Sequence, residues 1–93
     1  MKTEWDFIKA EENFRKHGIT FQEAAFALSD PLVVEELDDR ENHGEDRMIA
    51  YAMGTRSILT IVYTERGEAT RIISARRATQ HEQNHYYREN ASR

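Results

Sequence analysis

Four arginines, Arg66, Arg71, Arg76 and Arg77, fall within one stretch of twelve residues, with Tyr63 and Glu65 immediately before them. Lys9, Lys16 and His17 add cationic or titratable groups near the N-terminus. A guanidinium is a planar fork that takes phosphate oxygens two at a time, so an arginine run of this kind points to an anion site. Breaking a phosphodiester beside a hydroxyl without a metal needs a base, cations that hold the phosphate as charge builds, and an acid for the leaving oxygen. Arg71 and Arg76 suit the cationic role, and Arg76 is the first choice. Arg66, Arg77, Lys9 and Lys16 would extend the contact. His17 is the acid candidate, at a helix end where cations are favoured. Tyr63 and Glu65 are alternatives for the base, and Tyr63 could instead stack on a nucleobase. Each has an ordinary use as well: Lys16 can pair with Glu12 one helical turn away, and Arg71 can pair across a sheet, worth about 0.2–1 kcal/mol.

A second pattern competes. His81-Glu82-Gln83-Asn84-His85 matches H-E-x-x-H, in which two histidines one helical turn apart bind zinc and the glutamate acts as base. The surroundings argue against it, because this side of the helix is polar and only Glu89 follows as a carboxylate for a third ligand. His81 and His85 are therefore expected to be surface histidines at an accidental spacing, and no metal or other cofactor is expected.

The elements that position these groups follow from periodicity. Asp6 is placed to cap a helix over Phe7–His17, packing through Phe7, Ala10 and Phe14 and ended by Gly18. Lys9, Asn13 and Lys16 form a neighbouring stripe that could face a ligand. Thr20 to Glu23 has the capping-box spacing for a second short helix, closed by Asp30-Pro31. Strands are expected over residues 32–37, 48–53, 58–64 and 70–75. Asp38 to Asp46, with Gly44, reads as an acidic loop, and Glu65 to Ala69 as a five-residue hairpin connection. Met1 to Trp5 is a short strand or ordered arm. A last helix should run from Arg76 or Arg77 to about Asn90, packing through Ala75, Ala78, Glu82 and Tyr86. Arginines at a helix start oppose the dipole, which favours a ligand or partner role for them. The result is an α+β chain: two N-terminal helices, a mostly antiparallel four-stranded sheet, and a C-terminal helix.

Ninety-three residues make one domain spanning 1–93. Cysteine is absent, which excludes disulfides and thiol catalysis. No apolar run approaches the length of a membrane span and no signal-peptide layout is present, so a soluble, cytoplasmic protein with no membrane partner is expected. The net charge of -4 argues alone against nucleic acid, but its distribution is uneven. Residues 1–46 hold 5 Lys and Arg against 13 Asp and Glu, whereas residues 47–93 hold 8 against 4, all eight of them Arg. A local phosphate site is compatible with that split.

Val62-Tyr63-Thr64-Glu65-Arg66, followed by Arg71-Ile72-Ile73-Ser74-Ala75-Arg76-Arg77-Ala78, closely resembles the signature of the BrnT family of toxins from type II toxin-antitoxin modules. Trp5-Asp6, Lys9, Asn13, Lys16-His17-Gly18, Phe21-Gln22-Glu23-Ala24 and Asp30-Pro31 resemble the same family's other blocks in order and spacing. The likeness thins over residues 32–46 and after Glu82. Phe7-Ile8 and Leu28 depart from the pattern, both by apolar substitution. The resemblance implies a RelE-like fold and a metal-independent RNA endonuclease that inhibits translation. It also implies a partner: a BrnA-type antitoxin, a dimeric ribbon-helix-helix protein through which alone the toxin would meet operator DNA. The residues by themselves support only a phosphate-binding α+β domain. The competing reading is a non-catalytic interaction module that docks an acidic protein or a DNA-bound regulator.

Overall fold

A computed structural model describes residues 1–39 and 46–92. Its elements run β1 (Lys2–Glu4), α1 (Phe7–His17), α2 (Phe21–Ala27), β2 (Val34–Asp38), β3 (Arg47–Met53), β4 (Ile58–Arg66), β5 (Ala69–Arg77) and α3 (Gln80–Ala91). The class is α+β, as expected. The sheet has five strands rather than four, in the order β1-β5-β4-β3-β2. β2 to β5 form an antiparallel meander, and β1 adds to β5 in parallel, pairing Lys2 with Ala69 and Glu4 with Arg71. Most of the acidic loop expected over Asp38–Asp46, including Gly44, lies outside the described residues, and Asp38 itself ends β2.

The central strand β4 is buried on both faces from Ile58 to Thr64. Leu59, Ile61 and Tyr63 face one layer, where they meet Ile19, Phe21, Ala24 and Ala27 from the helical hairpin. Ile58 and Val62 face the other, with Val34, Ile49 and Tyr51 beside them and Ala78 and Tyr86 above. Helix α2 and the turn before it therefore cover one face, with α1 along its β5 edge, while α3 crosses only part of the other. The uncovered remainder is where a ligand can reach the sheet.

Helix α1 does not pack through Phe7 and Phe14, which are 80 % and 52 % exposed. Its inward stripe is Ala10, Asn13 and His17. The reason is that α1 lies along the edge of β5, where backbone polar groups need partners. The Asn13 amide supplies them. Its Nδ2 donates to the carbonyls of Ala75 (2.8 Å) and Ile19 (3.1 Å), and its Oδ1 accepts from the Ala75 N–H (3.1 Å). Asn13 thus continues the edge pairing that β1 begins, and it faces the fold rather than a ligand.

The caps were legible. Asp6 accepts from the N–H groups of Ile8 and Lys9, and Gly18 ends α1 at φ 72°. Thr20 accepts from Glu23 N at 3.0 Å, while the Glu23 carboxylate lies beside Thr55. Thr20→Ala should cost about 0.5–2 kcal/mol, read as a shift of the urea midpoint; an unchanged midpoint would mean that the cap does not hold α2.

Two boundaries moved. The β4–β5 connection is two residues, Gly67 and Glu68, with Gly67 at φ 59°, the glycine-first arrangement of a tight hairpin. Arg76 and Arg77 do not open the last helix. They end β5, opposite Thr60 and Leu59, and Ala78 N still bonds to the Ile58 carbonyl. α3 starts only at Gln80, after a capping box between Thr79 and Glu82. These arginines therefore do not oppose a helix dipole, and Ala75 belongs to β5 rather than to a helical stripe.

Candidate active site

In a regular strand Arg71 and Arg76, five positions apart, would point to opposite faces. β5 is not regular. Val62 pairs with Ser74 but Tyr63 pairs with Ile72, so Ile73 is an extra residue, a β-bulge. Beyond it the alternation is reversed. Ser74 and Arg76 now lie opposite Val62 and Thr60, on the same face as Arg71 opposite Thr64, away from α1 and α2. The bulge is what delivers Arg76 to the open face.

There Arg76 meets Glu82 in a fork-to-fork pair, Nη1 to Oε1 at 2.8 Å and Nη2 to Oε2 at 2.9 Å. The same Oε1 accepts from Thr60 Oγ1 and from Thr79 N, both at 2.9 Å. These bonds outweigh the cost of burial. With the Arg76 pair as the largest influence, the Glu82 carboxyl is held down at about 2 against an ordinary 4.5. Glu82 ties β4, β5 and α3 together and fixes the plane of the guanidinium, whose side chain stays 34 % exposed. The glutamate of the H-E-x-x-H pattern is thus already engaged.

Arg76 and Glu82 line a groove of about 260 Å³ together with Glu36, Tyr51, Thr60 and Ser74. Asp38 and Asp39 line it too. Arg71 is on the same face but about four strand steps away, roughly 13 Å, too far for both arginines to hold one phosphate. It pairs instead with Glu4 of β1 at 3.1 Å.

The other groups singled out in the sequence are scattered. Tyr63 is buried on the helix-covered face and donates to the Glu35 carboxylate, and burial together with Glu35 and Glu65 pushes its phenol further up, so it keeps its proton. Glu65 is exposed on the hairpin, where Thr70 Oγ1 donates to it at 3.3 Å. Arg66 is exposed beside the turn. Lys9 and Lys16 are exposed on α1, and His17 is half-buried at its end. β1 runs parallel to β5 and α1 continues from it, meeting β5 at Asn13 and Ala75. His17 is then about 6 Å further along the helix and Arg77 about 7 Å further along the strand. Lys16 and His17 on α1 and Arg77 on β5 thus lie beyond the Asn13–Ala75 contact along their own elements, and Arg77 is on the opposite face from Arg76.

One arrangement at the groove was missed. His85 is half-buried, not a free surface histidine: its Nε2 lies 3.3 Å from Glu36 Oε1, and its ring meets Tyr51 edge-on with centroids 5.3 Å apart. His81 is exposed. The spacing of the two histidines was visible in the sequence, but the partners on β2 and β3 were not.

A family model described as ribonuclease toxin, BrnT, of type II toxin-antitoxin system, matches residues 5–82. That span takes in Arg71, Arg76, Arg77 and Glu82 and ends three residues before His85. No curated protein matches the chain.

Proposed function

Because the chain belongs to the BrnT family of ribonuclease toxins of type II toxin-antitoxin systems, we propose that it is a metal-independent RNA endonuclease whose substrate lies in the groove beside Arg76. The observation that carries this reading is the bulge-directed Arg76, its side chain one-third exposed and its guanidinium held in a fixed plane by Glu82 on the open face of the sheet. A fork fixed in this way needs no reorganisation when charge builds on a phosphate. In the step proposed, a base removes the proton of the ribose 2'-hydroxyl, the 2'-oxygen attacks phosphorus, and the bond to the 5'-oxygen breaks. The products are a 2',3'-cyclic phosphate and a 5'-hydroxyl. Arg76 holds the phosphate, and Arg71 serves a neighbouring part of the backbone. Lys16, His17 and Arg77 form a separate cationic end that binds RNA outside the groove, with Arg66 and Lys9 as outlying contacts.

Metal independence is supported by the engagement of Glu82, which leaves the H-E-x-x-H pattern without its base. EDTA should accordingly leave the cleavage rate unchanged; loss of cleavage in EDTA that added zinc restores would overturn it. The chain would act in the cytoplasm on RNA used in translation, within a RelE-like fold, and be silenced by a BrnA-type ribbon-helix-helix antitoxin that also links it to operator DNA. Incubation of the purified protein with total RNA, with and without that antitoxin, tests the whole reading. Fragments should accumulate only when the antitoxin is absent.

A non-catalytic interaction module has one observation in its favour. Glu36, Asp38, Asp39 and Glu82 make the groove rich in carboxylates, which repel a phosphate backbone. Intact RNA at high protein excess would favour that reading.

A further inference from the structure

We propose that His85, oriented by Glu36 and Tyr51, is the catalytic residue that takes the 2'-hydroxyl proton in this groove, with Glu36 as its positioning residue. The proposal rests on the ribonuclease reading and adds the proton-transferring group that Tyr63, turned to the other face, cannot supply. Two contacts and an anchored helix place His85. Glu36 reaches Nε2 from β2 at 3.3 Å, Tyr51 holds the ring edge-on from β3, and α3 itself is fixed one turn earlier by the Glu82 network. His85 borders a hollow of about 210 Å³ with Glu36, Tyr51, His81 and Glu82. Glu36, Tyr51 and Glu82 also line the groove that contains Arg76, so the hollow and the groove adjoin across these three side chains. On α3, Glu82 and His85 are three residues apart and thus neighbours on one helix surface. The phosphate-holding guanidinium and the imidazole are therefore linked through Glu82, each lining a hollow that this carboxylate borders.

The chemistry follows from the pairing. With a carboxylate beside Nε2, the proton of the neutral ring is favoured there and Nδ1 keeps the lone pair. Nδ1 accepts the 2'-hydroxyl proton, and Glu36 stabilises the imidazolium that results. The 2'-oxygen forms its bond to phosphorus as the bond to the 5'-oxygen breaks. Solvent protonates the departing oxygen, and His85 later returns its proton to solvent. Histidine suits this exchange because an imidazole donates and accepts protons near neutrality, and such groups contribute about 10²–10⁴-fold to rate.

The test compares wild type, His85→Gln, His85→Ala and Glu36→Gln on one RNA in EDTA, as full-length chains checked by thermal unfolding. His85→Gln should lower kcat by about 10²–10⁴-fold with little change in KM. Its pH–rate profile should lose a limb belonging to an imidazole flanked by Glu36, Tyr51, His81, Glu82 and, across the groove, Arg76. Glu36→Gln should lower kcat less. Free imidazole should restore cleavage to His85→Ala, a result that a merely structural role would not give. Cleavage by His85→Gln at the wild-type rate with an unaltered profile would overturn the inference alone. A wild type that leaves RNA intact would overturn it together with the ribonuclease reading.

Discussion

Arg76→Lys is expected to lower RNA cleavage by about 10²–10³-fold, and Arg76→Ala to abolish it, because one donor aimed at developing charge is typically worth this much. Lysine keeps a positive charge beside Glu82 but loses the planar fork that grips two oxygens on each side. The Lys variant is the more informative of the two. Arg76→Ala also strands Glu82, a carboxylate with a side chain only 17 % exposed, and so mixes lost folding with lost chemistry. Antitoxin binding should be weakened by either substitution without being lost, since an interface of ordinary size spreads over ~20 residues a side. A cleavage time course alongside calorimetric titration with antitoxin reads both effects. Wild-type cleavage by Arg76→Lys would reduce Arg76 to a structural partner of Glu82 and shift the phosphate site to Lys16, His17 and Arg77.

Glu82 gives the second large effect. Its carboxyl titrates at about 2 in the folded chain against an ordinary 4.5. The difference is a contribution to folding of about 2–3 kcal/mol after allowance for the partly solvated Arg76. Because the folded value is the lower one, the contribution is fully present above about pH 4.5 and is lost as the pH falls toward 2. Glu82→Gln should thus lower the urea midpoint markedly at pH 7, and the gap between variant and wild type should narrow at pH 3. Asp30 works in the same direction. Burial opposes it, but bonds from Tyr86 and from the Met53 and Leu32 N–H groups hold its carboxyl below the ordinary range. Part of the acid sensitivity will therefore survive in the Glu82 variant. Equal midpoints at pH 7 would show that the Arg76–Glu82 pair adds nothing to stability.

What could be read from the sequence was local. Asp6, Gly18 and Thr20 mark their helix ends through bonds to residues two to four positions away, and the strands around Gly67 announce themselves by composition. What was misread depends on distant partners. Asn13 looked like part of a ligand-facing stripe because nothing in α1 reveals that the edge of β5, sixty-two residues on, needs an amide. Phe7 and Phe14 were assigned to the core for the same reason: α1 covers an edge, not a face. The bulge at Ile73 leaves no mark of its own, yet it decides whether Arg76 points to the groove or to the helices. Thr79 to Glu82 carries the same capping spacing as Thr20 to Glu23, but by composition alone the arginines before it read equally well as a helix start. His85 was discounted because its motif lacked a metal's third ligand, when its partners were a carboxylate and a tyrosine on the sheet.

The central claim is RNA cleavage through the 2'-hydroxyl at a groove that needs no metal. The most direct measurement uses two versions of one oligonucleotide in EDTA, all-ribose and with a single 2'-deoxy sugar at the mapped cleavage position, followed by analysis of the product ends. The ribose strand should be cut to a 2',3'-cyclic phosphate and a 5'-hydroxyl while the deoxy position stays intact. Cleavage of both strands, or of neither, would contradict it.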